Sequence, residues 1–292
     1  MRIVARQKSA DEKTTLYTQE TVDGRARILT TYVDRPEKHI ICFTTSIGCQ
    51  VACQFCYAGT FVAPISAGEL YQQVYLVHQD QGLHESTSRR GAEDKPVLFS
   101  AMGEGEPLAT IGGFLSVTDA LRTMGAVFPR ARLALSTTGM NPRLIRELAG
   151  QRFPVDLKLQ ISLVSPRDDV RKSIMGTTAP LVDIRGAIGY YQEVSQGEVE
   201  WNLVLLDGVN DSLTDAREVA RLLGPGAKVK LNGYNPVAGR NLARSPRALA
   251  FSSALSQFGL KPEIYQTDGW DIGAACGQFR ATVVSLNELI VK

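Results

Sequence analysis

Apolar and polar positions along this chain alternate between two kinds of segment. HIICFTTS, PVLFSAM, RLALSTTG, LKLQISL, VEWNLVLL and AKVKLNGYNP are short apolar runs, rich in β-branched residues, and each predicts a strand. Between them the spacing becomes helical. In ELYQQVYLVHQD, Leu70, Val74 and Val77 share one face, and in FLSVTDALRTMG so do Phe114, Val117, Leu121 and Met124, with Gly125 as the predicted stop. NPRLIRELAG starts a helix through Asn141 and Pro142; APLVDIRGAIGYYQEV, SLTDAREVARLLG and RALAFSSALSQFG predict three more, and PEIYQT a last strand. Ahead of all these, TTLYTQETV and RARILTTYV alternate partly around DGR, which predicts a hairpin. Strand followed by helix, six times over, implies an α/β fold with a parallel sheet and helices outside it.

Composition leaves that picture standing. The 292 residues, 44% hydrophobic and 21% charged, have a globular profile, and α/β barrels use this much chain as one unit. No apolar run approaches the roughly 18 residues of a membrane span, and MRIVARQKSADEK lacks the apolar centre of a signal peptide, so a soluble cytoplasmic protein with no membrane partner is expected. Net charge is +2, from 32 basic against 30 acidic residues, which permits local basic patches only. Candidates are Arg89 with Arg90, Arg130 with Arg132, Arg167 with Arg171 and Lys172, and Arg240, Arg244 and Arg247. A solvated surface is the default reading of each; the last group, in GRNLARSPR, reads as a flexible loop able to track a phosphate backbone. HESTSRRGAEDK is the candidate mobile loop.

Chemistry in such folds collects at the C-terminal ends of the strands. There lie the cysteine loop, GEGEP, STTG, SLVSP and NGYNP. Cys49, Cys53 and Cys56 have the spacing C-x3-C-x2-C, which suits three thiolates on a [4Fe–4S] cluster with one iron left open. Zinc or unligated thiols are the alternatives, but zinc wants a fourth ligand at short spacing, and His39, His78 and His84 show no pairing pattern. Alone, GEGEP could be a Gly-rich turn, and Ser136, Thr137, Ser162 and Asn235 could be turn or cap residues. Cys42 could be a buried strand residue and Cys276 an incidental loop thiol.

With Phe55 just before the last cysteine, the three-cysteine spacing resembles the radical S-adenosylmethionine (radical SAM) superfamily. The resemblance implies a partial (β/α)6 TIM-like barrel over residues 37–292, with residues 1–36 as a hairpin extension. It also implies a cluster whose open iron chelates SAM and whose reduction yields a 5′-deoxyadenosyl radical. Glu104, Gly105 and Glu106 of GEGEP would then meet the SAM amino group, Glu106 being its charged partner. Ser136, Thr137, Ser162 and Asn235 would bond its ribose and carboxylate.

The full order C-x6-C-x3-C-x2-C, GEGEPL, LSTTG, ISLVSP, LLDGVND, NP and DIGAACGQF, from about Leu16 to Phe279, is similar to the RlmN/Cfr family of radical SAM RNA methyltransferases. By that resemblance Cys276 carries the methyl group as S-methylcysteine, and its methylene radical adds to a ring carbon of adenine. Cys42 takes the proton from that carbon and then forms a disulfide with Cys276. Ribosomal RNA or tRNA would be the substrate, at C2 ahead of C8, with Trp270 helping to hold the base and a reductase or flavodoxin-type protein as electron donor. The chain departs from the family pattern in three places. Only the hairpin precedes Cys42, with no room for the family's N-terminal helical accessory domain. Val164 stands at the histidine of SLHAP, and Asp268 at a basic position. Less positive charge weakens RNA affinity, so the alternative is the same chemistry on a small molecule or free nucleotide. A cluster-bearing binding protein without turnover is a third reading, opposed by the full set of cysteines.

Overall fold

A computed structural model describes residues 1–83 and 95–284. His84, Arg89, Arg90 and all but the last residue of the candidate mobile loop lie outside them. The chain opens with β1 (Arg2–Lys8), β2 (Thr14–Glu20) and β3 (Ala26–Arg35), then β4 (Lys38–Phe43). The expected hairpin is β2 and β3, joined in seven-residue register from Thr14↔Val33 to Glu20↔Arg27, and β1 adds a further antiparallel strand at the edge. A two-stranded clip, β5 (Ser46–Ile47) with β6 (Ala63–Pro64), closes the cysteine loop.

The alternation then runs as expected: α1 (Ala67–Asp80), β7 (Val97–Ala101), α2 (Ile111–Val127), β8 (Arg132–Thr137), α3 (Pro142–Ala149) and β9 (Leu157–Ser162). It continues with α4 (Asp168–Met175), α5 (Leu181–Ser195), β10 (Glu198–Leu205), α6 (Leu213–Leu223), β11 (Lys228–Gly233), α7 (Ala248–Gln257), β12 (Lys261–Tyr265) and a two-residue β13 (Thr282–Val283). One sheet runs β1-β2-β3-β4-β7-β8-β9-β10-β11-β12, and from β4 onward every neighbouring pair is parallel. This is the parallel sheet of a partial barrel.

Local chemistry sets the helix ends. Ser212 and Asp215 form a reciprocal capping box at α6, Thr110 Oγ1 accepts from the Gly113 amide at α2, and Pro142 opens α3. Gly125 is not the stop of α2. The helix continues to Val127, and Gly125 sits inside it because an added Cβ would meet Pro154 and Val155 at 3.2 and 3.1 Å. Leu70, Val74 and Val77 of α1 are fully buried, worth about 1.5–3 kcal/mol each in apolar burial.

The strands β9, β10 and β11 differ on their two faces. Leu157, Leu159 and Ile161, then Trp201 and Leu203, then Val229 and Leu231 join the main core cluster with the helices. The alternate residues, Lys158, Gln160 and Ser162, Glu200 and Asn202, Lys230 and Asn232, are polar. Central parallel strands are commonly apolar on both faces. Here one face is apolar against helices and the other is the polar wall of a cavity.

Candidate active site

The loop after β4 carries the three closely spaced cysteines. Its root is held by close approach of the GEGEP turn: Gly105 has φ +112°, and a Cβ there would lie 2.3 Å from Ser46 Oγ. Cys49 N donates to Gly59 O at 2.9 Å, closing the loop on itself. Cys49, Cys53, Phe55 and Cys56 line one cavity together with Gly105, Glu106, Ser136, Ser162, Asn235 and Cys276. An adjoining cavity is lined by Cys42, Glu104, Asn235 and Cys276. Thr137 lines the first space too, so thirteen of the residues expected at the site surround two connected spaces, which share Cys56, Met102, Lys230, Asn235 and Cys276; Trp270 lines neither.

Glu106 is buried. Its carboxylate accepts from Thr137 Oγ1 at 2.5 Å, the Thr138 amide at 2.7 Å and the Leu108 amide at 3.1 Å. Burial pushes it above the usual carboxylate range, while these donors pull the other way. Glu104 has two backbone partners instead: the Gly59 amide of the cysteine loop at 2.8 Å and the Ala281 amide of the C-terminal segment at 2.6 Å. Ser136 Oγ donates to Gln160 Oε1 at 3.0 Å, and Gln160 and Lys158 both bind Glu200, at 2.5 and 3.1 Å. Asn235 donates to the Cys276 carbonyl at 3.0 Å.

Of three basic residues expected on the surface or in a free loop, one is internal and two are exposed but hydrogen-bonded to their own fold. Arg171 is fully buried, and its guanidinium donates to the carbonyls of Thr138, Ser162 and Leu163, tying the ends of β8 and β9 together. Burial pulls it down to about 10. Arg244 donates to Tyr234 O and Asn235 Oδ1, and Arg247 pairs with Asp211 at 3.0 Å, so GRNLARSPR offers a phosphate backbone less than its composition suggests. Asp268 pairs with Arg35 of β3. Val164 has φ +59° and packs with Val51, Met175 and Tyr234 behind the cysteine loop, its carbonyl accepting from Asn210 at 2.6 Å. A β-branched residue in that region is an outlier that the surrounding packing holds in place.

Cys276 sits between β12 and β13, and Gly277 follows with φ +82°. A Cβ at Gly277 would lie 3.0 Å from Phe55 O, and Gly277 O accepts from Tyr57 N at 2.7 Å, so the two cysteine-bearing loops touch through glycine backbone. Cys276 Sγ lies 3.9 Å from Met102 Sδ. Burial pushes both the Cys42 and Cys276 thiols up; Cys276 raises Cys42 further, and Lys230 pulls both down. Lys230 went unnoticed in the sequence. Its signal was its alternation with Val229 and Leu231, which puts an ammonium on the cavity side of β11.

No family model matches the chain. A dual-specificity RNA methyltransferase RlmN of Syntrophobacter fumaroxidans is 32% identical over 290 residues, covering 95% of this chain and 80% of that protein. One from Jannaschia sp. is 33% identical over 294 residues, covering 96% and 72%. This chain belongs to the RlmN family. A crystal structure of a radical SAM methyltransferase from Sphaerobacter thermophilus superposes with TM-score 0.82 at 29% identity, covering 96% of this chain and 81% of that one. TYW1 with a lysine-pyruvate adduct bound shares the fold alone, with TM-score 0.51 at 14% identity.

As an RlmN-family protein the chain is a radical SAM-dependent methyltransferase, and its cofactors are a [4Fe–4S] cluster and SAM. The donor set fits them. Burial pushes the Cys49, Cys53 and Cys56 thiols up, and Cys56 raises Cys49 and Cys53 further. Three half-buried thiols on one cavity, deprotonated outright by metal coordination, suit a cluster with one unprotected corner. Among the described residues, no helix is long and apolar enough to cross a membrane.

Proposed function

We propose that this chain methylates an sp2 ring carbon of adenine in RNA, at C2 ahead of C8, through a methyl group carried on Cys276. The observation that carries the reading is the meeting of two free thiols, Cys42 on β4 and Cys276 beyond β12, in one cavity that opens into the cavity of the three-cysteine loop. Cys49, Cys53 and Cys56 hold the cluster, whose reduction with SAM supplies a carbon-centred radical. Glu106 would meet the SAM ammonium, and Ser136 and Ser162 on the same cavity would bond its ribose and carboxylate. Asn235 fixes the Cys276 backbone, so the sulfur that bears the methyl stays at the junction of the two cavities.

Cys42 lines the same cavity as that sulfur. From there it takes the proton of the methylated ring carbon, and its sulfur then closes a disulfide on Cys276 to release the product. A reductase or flavodoxin-type donor resets the pair. RNA is supported by the relatives, named RNA methyltransferases, and by Trp270, 66% exposed a few residues before Cys276, as a stacking surface for an extruded base.

Mass spectrometry of the isolated protein tests the methyl carrier: a methyl group on Cys276 is expected, and its absence after incubation with SAM sinks the reading. With cluster reconstituted and reduced, labelled methyl from SAM is expected in RNA. Label confined to nucleotide pools would move the substrate to a small molecule. Cys42→Ala is expected to leave Cys276 methylated and to stall the enzyme covalently on its substrate.

A further inference from the structure

A chain of hydrogen-bonded side chains runs from Lys158 on β9 to Ser136 on β8, which lines the cavity of the cysteine loop. Lys158 Nζ donates to Glu200 Oε2 at 3.1 Å, Gln160 Nε2 donates to Glu200 Oε1 at 2.5 Å, and Ser136 Oγ donates to Gln160 Oε1 at 3.0 Å. Its polarity is fixed from one end. Glu200 is buried and ion-paired with Lys158, so it is a carboxylate and can only accept. The NH2 of Gln160 must therefore face Glu200, which turns its amide oxygen towards Ser136. Against that oxygen the Ser136 hydroxyl can only donate. Its one proton is engaged, so Ser136 offers the cavity lone pairs alone. A second acceptor lies on the same cavity. Asn202, opposite Ser162 in the β9–β10 register, is buried, and its Oδ1 has no hydrogen-bond partner among the described residues. A buried acceptor unmatched by the protein calls for a donor supplied by a ligand.

We propose that Gln160 and Glu200 are positioning residues for SAM: they hold Ser136 as an acceptor, which assigns it to a ribose hydroxyl and excludes it from the carboxylate. A carboxylate brings no proton to a hydrogen bond, so it gains nothing from an oxygen whose own proton is engaged. SAM carries three kinds of donor: the ammonium, the ribose hydroxyls and the adenine amine. The ammonium is assigned to Glu106, and the adenine amine lies at the far end of the molecule from it. Thr137, next to Ser136, donates to Glu106 at 2.5 Å, so Ser136 stands towards the ammonium end, where the ribose is the nearer donor. The vicinal hydroxyls of a ribose also match two acceptors on one cavity, Ser136 Oγ and Asn202 Oδ1. The inference rests on reading this cavity as the SAM site.

The test measures binding rather than turnover, on the whole chain with its cluster in place and oxidised. S-adenosylhomocysteine, which has no methyl group to transfer, is titrated by calorimetry beside its 2′-deoxy and 3′-deoxy forms. Wild type is expected to bind at least one deoxy form roughly tenfold more weakly than the parent. Ser136→Ala should bring that ratio to within about twofold. Gln160→Met and Glu200→Gln should bring it to about threefold or less, because each frees the Ser136 proton and its acceptor is no longer held in place. Melting temperature and cluster absorbance confirm that each variant is folded. A merely structural role for Gln160 and Glu200 would weaken the parent and deoxy forms alike; a ratio left at its wild-type value in both variants overturns the inference. Discrimination that Ser136→Ala removes for S-inosylhomocysteine, which lacks the adenine amine, but not for the deoxy forms would place Ser136 on the adenine and overturn it as well. If Ser136→Ala and Glu106→Gln both bind every ligand as wild type does, the cavity is not the SAM site, and the reading beneath the inference fails instead.

Discussion

Removing the Glu104 carboxylate should loosen the cysteine loop and the Cys276 segment together. Its two oxygens accept from the Gly59 amide at 2.8 Å and the Ala281 amide at 2.6 Å, on loops far apart in sequence. Glu104 itself is only 2% exposed, at the end of β7. In Glu104→Ala both amides lose a charged acceptor, at about 1–3 kcal/mol for each donor left unpaired. Gly59 and Ala281 are half-buried, so water recovers part of that, and the net loss should be about 2–3 kcal/mol. For a chain of this size that corresponds to a melting temperature lower by about 4–6 °C. Glu104→Gln keeps one acceptor and turns an NH2 group towards the other amide, for about half the loss.

Hydrogen exchange separates this account from a general weakening. Protection should fall at Gly59 and Ala281, and at Tyr57, whose amide donates to Gly277 O at 2.7 Å across the same two loops. The helix amides of α2 and α5 should change only through global unfolding. If Glu104→Ala melts with the wild type and Gly59 and Ala281 keep their protection, the carboxylate is not the clasp. The reasoning from the hydrogen bonds then fails.

Two further outcomes follow from the same geometry. Gly277→Ala places a Cβ 3.0 Å from Phe55 O at φ +82°, so a loss of about 1–3 kcal/mol in urea unfolding is expected; wild-type stability would remove glycine from the account of how the loops meet. Burial pushes Glu200 up, but Lys158, Lys230 and Gln160 outweigh it and leave the carboxyl below its usual range. Its contribution to stability is therefore present above about pH 4.5 and lost as pH falls through the lower folded value. Glu200→Gln should destabilise the protein near neutrality and flatten the acid limb of the melting curve, and an unchanged acid limb would contradict it.

The alternation of strands and helices was legible because each helix had its own apolar stripe and each central strand a compact apolar run. Segments without such a signal were not. The β1 strand RIVARQK is an edge strand mostly in solvent, and α4 is an eight-residue helix of mostly polar sequence. Gly125 looked like a stop because glycine commonly ends helices, whereas here its missing side chain lets α2 press on Pro154 and Val155. Arg171 looked like surface charge because burying a guanidinium is rarely favourable. Three carbonyls at two strand ends supply the acceptors that permit it. The three-cysteine spacing was local and easy to see. The proximity of Cys42 to Cys276 was not, because it depends on how the chain beyond β12 folds back over the sheet.

That return path also changes the meaning of Asp268. In the sequence it replaces a basic residue near the catalytic loop, which suggests a site less able to attract RNA. In the fold its carboxylate is paired with Arg35, whose guanidinium also donates to Gln266 O at 2.8 Å and stacks on Tyr265 with 4.8 Å to the ring centroid. The pair anchors the segment leading to Cys276 onto β3, and Asp268 still raises the Cys276 thiol. Further along, Asp271 accepts from the Ala10 amide at 2.8 Å, and Thr282 and Val283 pair with Arg27 and Ala26. The N-terminal strands thus brace the Cys276 segment at three places. The sequence change at 268 is better understood as part of the bracing of that segment than as a loss of positive charge.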